Sequence, residues 1–433
     1  MSTQTSRRDF LRSAALTGMG VYVATRSWAQ DNAPSERINF ACIGVGGKGE
    51  SDTDDVAHFG NVVAICDVDT NALNRMGEKY PKARKYTDFR KMLDEMGNQI
   101  DAVTVSTPDH THAVAAAMAM QMGKHCFCQK PLTRTLYEAR YLADLARQKK
   151  VATQMGNQGT ADDGLRAMAM RIRKGMLGTV REIHIWTNRP IWPQGHERSA
   201  PKDVPPHLDW DLWIGPSPYR PYGDNYHTFS WRGWWDFGTG ALGDMGCHTI
   251  NMAFMALDLR NPVSVQAKTS GHNRDSFPKW SIVTYQFAAT RERPALTLVW
   301  YDGGQLPPAE LLNGEKPASS GSLLIGDKDR LYTPGDYGGG GRLLSGAPLP
   351  EVDYPRSPGH IEEFIRAIKG GEPAMSNFPN YAGPLTETVL VGNLAVWADG
   401  PKVEWDARRL RARGMRELDP LIKPVYRKGY ALG

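Results

Sequence analysis

The densest group of side chains capable of chemistry lies in residues 226–248. Within it, Asp244 and His248 are four residues apart, a spacing that puts both on one face of a helix. A carboxylate beside an imidazole can hold its tautomer and let it take a proton from a hydroxyl group near neutral pH. The same spacing fits a helix-capping aspartate and a packed histidine, so spacing alone leaves a catalytic pair and a structural pair both open.

Aromatic residues surround this pair in the sequence. They are Trp192, Tyr222, Tyr226, Phe229, Trp231, Trp234 and Trp235. Aromatic rings can stack on the apolar face of a sugar, and we predict substrate contacts from Trp192, Tyr226 and Trp235. Core packing would explain the same rings, since large aromatic side chains dominate buried area. Arg232 is harder to explain as core because an unpaired buried guanidinium is costly, so we predict a substrate contact there too.

A second chemical signal is an apolar, strand-like run over residues 38–49 that ends in glycines at Gly44, Gly46 and Gly49. This GxGxxG spacing predicts a tight turn whose backbone approaches a pyrophosphate and whose following helix offers bare N–H groups to negative charge. Residues 50–55 are unusually acidic for such a position. We expect these acids to face solvent in the first turn of the helix.

A second apolar run, residues 61–66, ends in Asp67. Asp67 follows the first glycine at the spacing of roughly 20 residues expected for an acid that binds the adenosine ribose. It therefore favours NAD, because a carboxylate would repel the 2′-phosphate of NADP, although Arg75 or Arg84 could accommodate NADP. The alternative is that Asp67 only caps the next helix.

Three further apolar runs, residues 102–106, 125–128 and 152–155, end in polar residues. In open parallel sheets the ligand lies beyond the carboxyl ends of the strands, so these residues should face the same site. A histidine in the first of these loops could equally cap a helix. The predicted cofactor contacts at these strand ends are Thr107, Pro108, His112, Gln129, Lys130 and Asn157.

The spacing of apolar runs divides the chain in two. From residue 38 to about 158, short apolar runs alternate with helical stretches at 89–96, 113–122 and 136–149, which predicts a parallel sheet flanked by helices. Beyond a helix at about 165–174, the pattern predicts a mostly antiparallel sheet with one face free for a helix or a partner subunit. The strand-like runs of this second part are residues 180–187, 263–269, 281–287, 295–300 and 322–325.

The remaining segments are assigned more simply. The glycine-rich residues 336–341 read as a loop. Two late helical stretches, 361–369 and 385–398, and a basic tail from Arg408 are expected to pack back on the core. The fold class is therefore α/β, and the predicted domains are residues 37–158 for the nucleotide and 159–433 for substrate binding and oligomerisation.

Composition excludes some functions. The chain has 433 residues and a formal charge of +5, much of it in residues 1–29, and the near-neutral remainder argues against nucleic-acid binding. No apolar run approaches the roughly 18 to 20 residues needed to cross a bilayer. Residues 1–29 resemble a twin-arginine export signal, with Arg7 and Arg8, a modest apolar run and a small-residue cleavage site after Ala29. The alternative is a disordered basic tail.

Five cysteines do not suggest a disulfide framework, because the count is odd and four of them lie in apolar runs. We expect buried thiols. Cys126 and Cys128 share one face of a strand, but no second pair completes a zinc site, so we predict no metal.

Together, these motifs resemble the Gfo/Idh/MocA family of NAD(P)-dependent sugar and polyol oxidoreductases, from about residue 38 onward. The resemblance is carried by the glycine-ending strand, by Asp67, by the Thr107-Pro108 loop, by residues 128–132 and by Asp244 with His248. It implies an N-terminal Rossmann sheet, doubly wound and parallel, and a C-terminal α/β domain with a large, mostly antiparallel open sheet. It also implies a dimer or tetramer formed through the second sheet.

The resemblance implies roles for three residues. Lys130 would bond the reacting hydroxyl and the nicotinamide ribose, while His248, supported by Asp244, would remove the hydroxyl proton as hydride passes to the nicotinamide. The family usually has glutamate before this lysine, and Gln129 departs from that pattern. The Lys130-Pro131 bond is a candidate cis peptide, as in relatives.

Export would separate the protein from the cytoplasmic pool of nicotinamide cofactors. This favours a cofactor that stays tightly bound and is returned to its starting redox state on the protein. The leading prediction is an exported oxidoreductase acting on a sugar, polyol or glycoside with bound NAD. The alternative is an NAD-dependent glycoside hydrolase or lyase that oxidises, eliminates and re-reduces. A non-catalytic sugar-binding protein is disfavoured because Lys130, Asp244 and His248 are all present.

Overall fold

The computed structural model describes residues 37–432. The export segment predicted over residues 1–29 lies outside the described residues. Within the described range, no helix combines the length and apolar character required to cross a membrane.

The first part of the described chain forms a six-stranded parallel sheet with the strand order β3-β2-β1-β4-β5-β6. The strands are β1 Ile38–Ile43, β2 Gly60–Cys66, β3 Arg84–Tyr86, β4 Ala102–Val105, β5 His125–Cys128 and β6 Thr153–Met155. The helices between them are α1 Lys48–Ala57, α2 Thr70–Lys79, α3 Phe89–Met96, α4 Asp109–Gln121 and α5 Leu136–Lys149. The strand order reverses between β1 and β4, which creates a crevice at their carboxyl ends. The predicted doubly wound sheet is confirmed.

Local sequence explains where these helices begin. Asp69 and Asp88 cap α2 and α3 by accepting the backbone N–H two residues on, and Thr135 with Glu138 forms a capping box at α5. Strand β3 was not predicted, because its exposed Arg84 and Lys85 carry no apolar signal. Charged side chains of this kind are typical of a short edge strand.

The second part of the described chain forms a nine-stranded sheet in the order β13-β12-β11-β7-β10-β9-β8-β14-β15. Its strands are β7 Val180–Trp186, β8 Ser264–Thr269, β9 Ser281–Phe287, β10 Leu296–Tyr301, β11 Gly321–Gly326, β12 Arg330–Pro334, β13 Arg342–Leu343, β14 Val403–Asp406 and β15 Arg411–Ala412. Only β7 and β10 pair in parallel among these described strands, so the mostly antiparallel sheet is confirmed. The strands β12 to β15 were not predicted.

The helices of this part are α6 Asp163–Arg173, α7 Trp210–Ile214, α8 Gly240–Thr249, α9 Asn251–Leu257, α10 His360–Ile368, α11 Gly383–Ala398 and α12 Asp419–Ile422. The two late helices pack back on the core, as predicted. Phe364 of α10 joins Phe40 and Phe127 on one face of the first sheet. Helix α11 passes under the second sheet so closely that a Cβ on Gly392 would lie 1.9 Å from the hydroxyl of Tyr285.

Residues 426–432 pack on the first sheet's helices. The Tyr426 hydroxyl donates to Glu138 at 2.8 Å, and Arg90 stacks over the Tyr430 ring at 4.4 Å. The carbonyl of Leu432 accepts hydrogen bonds from Gln121 and Tyr141. All five cysteines are free and buried, as expected.

Candidate active site

A cavity of about 700 Å³ opens at the carboxyl ends of the first sheet's strands, against the second domain. This size is typical of a small-molecule site. It brings most of the predicted site residues together. Those that line it are Gly44, Gly46, Asp67, Thr107, Pro108, Gln129, Lys130, Trp192, Arg232, Asp244 and His248.

The glycine loop is built for close backbone approach. Gly44 has a φ of +77°, and a Cβ there would lie 2.8 Å from the carbonyl oxygen of Ser106. A Cβ on Gly49 would lie 1.8 Å from the Gly44 carbonyl oxygen, so this third glycine lets α1 pack against the loop and lies behind the cavity lining. No side chain caps the first turn of α1. Such a helix end is suited to bind the phosphates of a dinucleotide.

Asp67 supports this loop directly. Its Oδ2 accepts the backbone N–H groups of Val45 at 2.8 Å and Gly46 at 3.1 Å, and its Oδ1 accepts that of Asp69 at 2.9 Å. The alternative that Asp67 caps the next helix is wrong, because Asp69 is the N-cap of α2. Burial raises the pKa of Asp67, although these three bonds favour its ionised form. A contact with the ribose stays a prediction.

The expectation that the acids of residues 50–55 face solvent is wrong for Asp52, which is only 1% exposed. Its carboxylate accepts hydrogen bonds from Lys48, Ser106 and Gln129. Asp52 lies on the inner face of α1, where the helix meets the ends of β4 and β5, and its three donors compensate its burial.

An ion pair joins the two domains inside the cavity. The Nζ of Lys130, which follows β5, donates to Oδ1 of Asp244 on α8 at 2.8 Å and to the Asp244 carbonyl at 2.9 Å. Arg232 donates its Nε to the same carboxylate at 3.3 Å. Burial alone raises the pKa of Asp244, but Lys130 and Arg232 outweigh it and lower this pKa to about 2. Asp244 is therefore ionised at neutral pH. The Lys130-Pro131 bond is cis, as predicted.

His248 lies one turn after Asp244 on α8, and its ring packs edge-on to Tyr337 with the centroids 5.3 Å apart. Burial, followed by the charge of Lys130, lowers the pKa of His248 to about 3, so the ring is neutral at pH 7. Its Nδ1 is buried without a hydrogen-bond partner among the described residues. The expectation that Asp244 holds the His248 tautomer is wrong, because the carboxylate turns toward Lys130 and Arg232 instead.

Besides Gly49, two predicted cofactor contacts do not reach the cavity. Both ring nitrogens of His112 contact backbone carbonyls, those of Pro131 at 2.9 Å and Thr107 at 2.8 Å. The fully buried Asn157 side chain contacts Ser376 and the Cys247 carbonyl. Both residues therefore support the walls of the cavity and do not line it. The neighbouring Gln158 lines the cavity in place of Asn157.

Two predicted substrate contacts are core residues. Tyr226 packs among Trp210, Trp234 and Phe237. The Trp235 ring stacks on Phe277 at 3.6 Å, and its indole N–H donates to the Ser276 carbonyl. The core alternative is correct for these two rings. Trp192 and Arg232 do line the cavity, and the guanidinium of Arg232 lies over Trp192.

Sequence reasoning missed several lining residues. Arg189 follows β7 and places its Nε 3.8 Å from Asp244, and Tyr337 comes from the loop over residues 336–341. Asp109 begins α4 and accepts a 2.7 Å hydrogen bond from Thr239, and burial raises its pKa to about 7. The strand ends before Asp109 and Arg189 could have indicated these two residues. Nothing in the local pattern indicated Tyr337.

A segment of the second domain, residues 204–239, closes over the β2 side of the cavity. The Thr70 N–H donates to the His207 carbonyl at 2.8 Å, and the Asp209 N–H donates to the Val68 carbonyl at 3.0 Å. The His227 ring lies 2.9 Å from the Asp69 carboxylate. Among residues 37–432, no group of three or more His, Cys, Asp or Glu side chains is placed to hold a metal ion.

Replacing His248 with glutamine should reduce the acid sensitivity of folding. The pKa is about 3 when folded and near 6.5 when unfolded, so the unfolded chain binds the proton more tightly. The stabilisation that the neutral His248 contributes is fully present above the unfolded-state pKa and is lost as the pH falls toward the folded-state pKa. About 2 kcal/mol of this stabilisation is lost between roughly pH 7 and 5. In urea titrations, His248→Gln should lose less free energy of unfolding over that interval. The exposed His196→Gln serves as control, and equal slopes in all three proteins would contradict a neutral, buried His248.

Two family sequence profiles match the chain. The profile described as "Oxidoreductase family, NAD-binding Rossmann fold" matches residues 38–157. The profile described as "Oxidoreductase family, C-terminal alpha/beta domain" matches residues 166–292. Both belong to the Gfo/Idh/MocA family, and together they cover more than half of the chain.

Curated relatives match over part of their length. A "Glycosyl hydrolase family 109 protein" of Shewanella pealeana is 29% identical in an alignment of 200 positions that covers 40% of this chain and 44% of that protein. The "Alpha-N-acetylgalactosaminidase" of Shewanella oneidensis is 30% identical in an alignment of 202 positions that covers 40% of this chain and 43% of that protein. The chain thus matches less than half the length of these relatives.

Solved structures share the fold over most of this chain. The WlbA dehydrogenase from Bordetella pertussis, crystallised in complex with NADH and UDP-GlcNAcA, matches with a TM-score of 0.60 at 15% identity. The match covers 86% of this chain and 99% of that one. By its two profiles and its fold, the chain belongs to the Gfo/Idh/MocA oxidoreductase family and contains the family's NAD-binding Rossmann domain.

Proposed function

We propose that this protein oxidises a hydroxyl group of a sugar, polyol or glycoside. The observation that carries this proposal is the convergence of Lys130, Asp244 and His248 in one cavity with the glycine loop. A cation and a neutral imidazole beside a dinucleotide cradle are the groups that removal of a proton and a hydride from a carbinol requires. The predicted roles of Lys130 and His248 stay predictions that agree with this arrangement, whereas Asp244 bonds Lys130 rather than His248.

The residues present fit NAD. Close backbone approach at Gly44 and Gly46, the uncapped first turn of α1 and a carboxylate at the end of β2 suit the pyrophosphate and the ribose. Thr107, Pro108, Gln129 and Lys130 would border the nicotinamide. When bound, NAD supplies a hydride acceptor.

The protein side chains supply the remaining chemistry. Two of the three N–H groups of Lys130 bond Asp244, so its third can hold the reacting hydroxyl group. The neutral His248 accepts the hydroxyl proton. Arg232 and Trp192 would border the substrate, and cation–π contacts with Trp231 at 4.3 Å and Phe229 at 5.0 Å help to hold the guanidinium in place. Asp244 orients Lys130 and balances its charge.

Substitution of Lys130 by alanine should lower kcat by at least about a hundredfold, because the hydroxyl group loses its anchor and Asp244 loses its main partner. NADH absorbance would be followed while a panel of sugars, polyols and glycosides is added to the purified protein without added cofactor. Nucleotide released on denaturation would show that the variant still carries NAD. The exposed Lys149→Ala is the matched control, and full activity of Lys130→Ala would refute the proposed mechanism.

A second candidate is NAD-dependent cleavage of a glycosidic bond, favoured by the similarity to the Shewanella glycosyl hydrolase family 109 protein and alpha-N-acetylgalactosaminidase. A carbonyl formed transiently on the sugar acidifies the adjacent C–H, which allows the glycosidic oxygen to leave by elimination. Addition of water and return of the hydride then give free sugar with no net redox change.

The same spectra distinguish the two candidates. A persistent NADH signal after a sugar is added indicates a dehydrogenase that waits for a second acceptor. A transient signal with stoichiometric release of p-nitrophenol from a nitrophenyl glycoside indicates cleavage. If no compound in the panel produces either signal, the non-catalytic sugar-binding alternative gains support.

We also propose that the protein is exported by the twin-arginine translocation machinery with its cofactor tightly bound. The paired arginines at Arg7 and Arg8 and the segment closed over the β2 side of the cavity support this proposal. Cell fractionation of the Arg7→Lys, Arg8→Lys double variant should find the protein in the cytoplasm, and unchanged periplasmic yield would refute export by this route.

A dimer or tetramer through the outer face of the second sheet is also proposed. On that face Ile282, Val299 and Ile325 are only partly buried.

A further inference from the structure

Asp52 is a buried carboxylate that the proposed chemistry does not use. It lies on α1 below the glycine loop and is 1% exposed. Its Oδ1 accepts the Lys48 ammonium at 2.7 Å, and its Oδ2 accepts the Ser106 hydroxyl at 2.7 Å and the Gln129 amide at 2.8 Å. All three donors line the cavity. One carboxylate thus connects the glycine loop, the end of β4 and the end of β5.

The Gln129 side chain is held in one orientation by its surroundings. Its amide nitrogen donates to Asp52, and its Oε1 lies 3.3 Å from the backbone N–H of Lys130. It packs on Gly156, where a Cβ would lie 2.5 Å from the amide nitrogen. Gln129, which immediately precedes the proposed catalytic Lys130, is therefore held in place by its hydrogen bond to Asp52 of α1.

We infer that Asp52 is a positioning residue that joins the cofactor cradle to Lys130, and that residue 129 is an amide because Asp52 holds the negative charge at this contact. The catalytic part of this inference rests on the proposed function. The pairing itself rests only on the contacts of Asp52 and Gln129.

Charge explains why the pair needs one carboxylate and one amide. A glutamate at position 129 would place a second carboxylate oxygen about 2.8 Å from Asp52, and two such groups cannot both ionise without a large cost. An exchanged pair, with asparagine at 52 and glutamate at 129, restores one acceptor and one donor. In that exchange the amide nitrogen at position 52 takes the place of Oδ2, so the Ser106 hydroxyl must accept there instead of donating. The amide oxygen can still accept from Lys48, whose side chain is 50% exposed, so the loss of the charge in that ion pair should be small.

Other titratable groups also face this pair. Cys42 on β1, Cys128 on β5, Asp55 on α1 and His360 on α10 all interact electrostatically with Asp52. Because Cys42, Cys128 and His360 are present in every variant compared, and Asp55 is changed only in its own control, differences between the other variants isolate positions 52 and 129.

Four variants test the inference: Gln129→Glu, Asp52→Asn, the Asp52→Asn/Gln129→Glu double variant, and the exposed Asp55→Asn as a control for charge on the same helix. At pH 7, Gln129→Glu should lower Tm by several degrees, and less at pH 5, where the two carboxylates can share a proton. The double variant should recover most of that loss. Asp55→Asn should match the wild type. Retention of the wild-type Tm by Gln129→Glu at both pH values, or a double variant that is no better than Gln129→Glu, would overturn the pairing.

Measurements of NAD binding and of enzyme kinetics distinguish a positioning role of Asp52 from an effect on folding stability alone. Titration with NAD alone should give a weaker Kd for Gln129→Glu, with recovery in the double variant. In NAD-saturated Asp52→Asn, kcat should fall on the order of tenfold with KM for substrate little changed. Wild-type kcat in folded Asp52→Asn and Gln129→Glu would overturn the positioning role. If wild type turns over no sugar while the Tm and Kd cycles still show coupling, the proposed function fails and the pairing stands.

Discussion

The ion pair between Lys130 and Asp244 is the contact on which the site depends. It connects the end of β5 to α8 across the boundary between the two sheets. Removing both charges from water is costly, and such a pair is tolerated only when its remaining hydrogen-bonding groups are satisfied. The carbonyl of Asp244 and the guanidinium of Arg232 provide that satisfaction. Burial, followed by the charge of Lys130, lowers the pKa of His248 and leaves it neutral beside this ion pair.

The fold could be predicted because both sheets have strong central patterns. Strand β1 is a nearly continuous apolar run, β9 alternates between buried and more exposed residues, and the glycine loop marks the switch point of the first sheet. The strands that escaped prediction are edge or near-edge strands of two to five residues, such as β3 and β15. Their pairing is decided by the neighbouring strand rather than by their own sequence.

The site could be predicted where a residue ends a strand or shares a helix face, as with Lys130 and His248. The site could not be predicted where two residues of similar type are both close to it in the sequence and only one of them lines the cavity. Asn157 and Gln158 are both amides after β6, and only the backbone direction decides that Gln158 faces the cavity. Trp192 and Trp235 are similar in sequence terms, yet Trp235 stacks on Phe277. Two partners of Asp52, Ser106 and Gln129, lie on other elements, so its contacts could not be predicted from the sequence of α1.

The packing of residues 426–432 on the first sheet's helices has a consequence for biosynthesis. Tyr430 lines the same cavity as Gly44, although nearly the whole described chain separates the two residues. A ribosome extends the chain from the amino end, so the glycine loop emerges long before Tyr430 does. The Rossmann sheet can form on the ribosome, but the complete cavity exists only after residue 430 has emerged. Full enclosure of the cofactor is therefore a late event in the maturation of this protein.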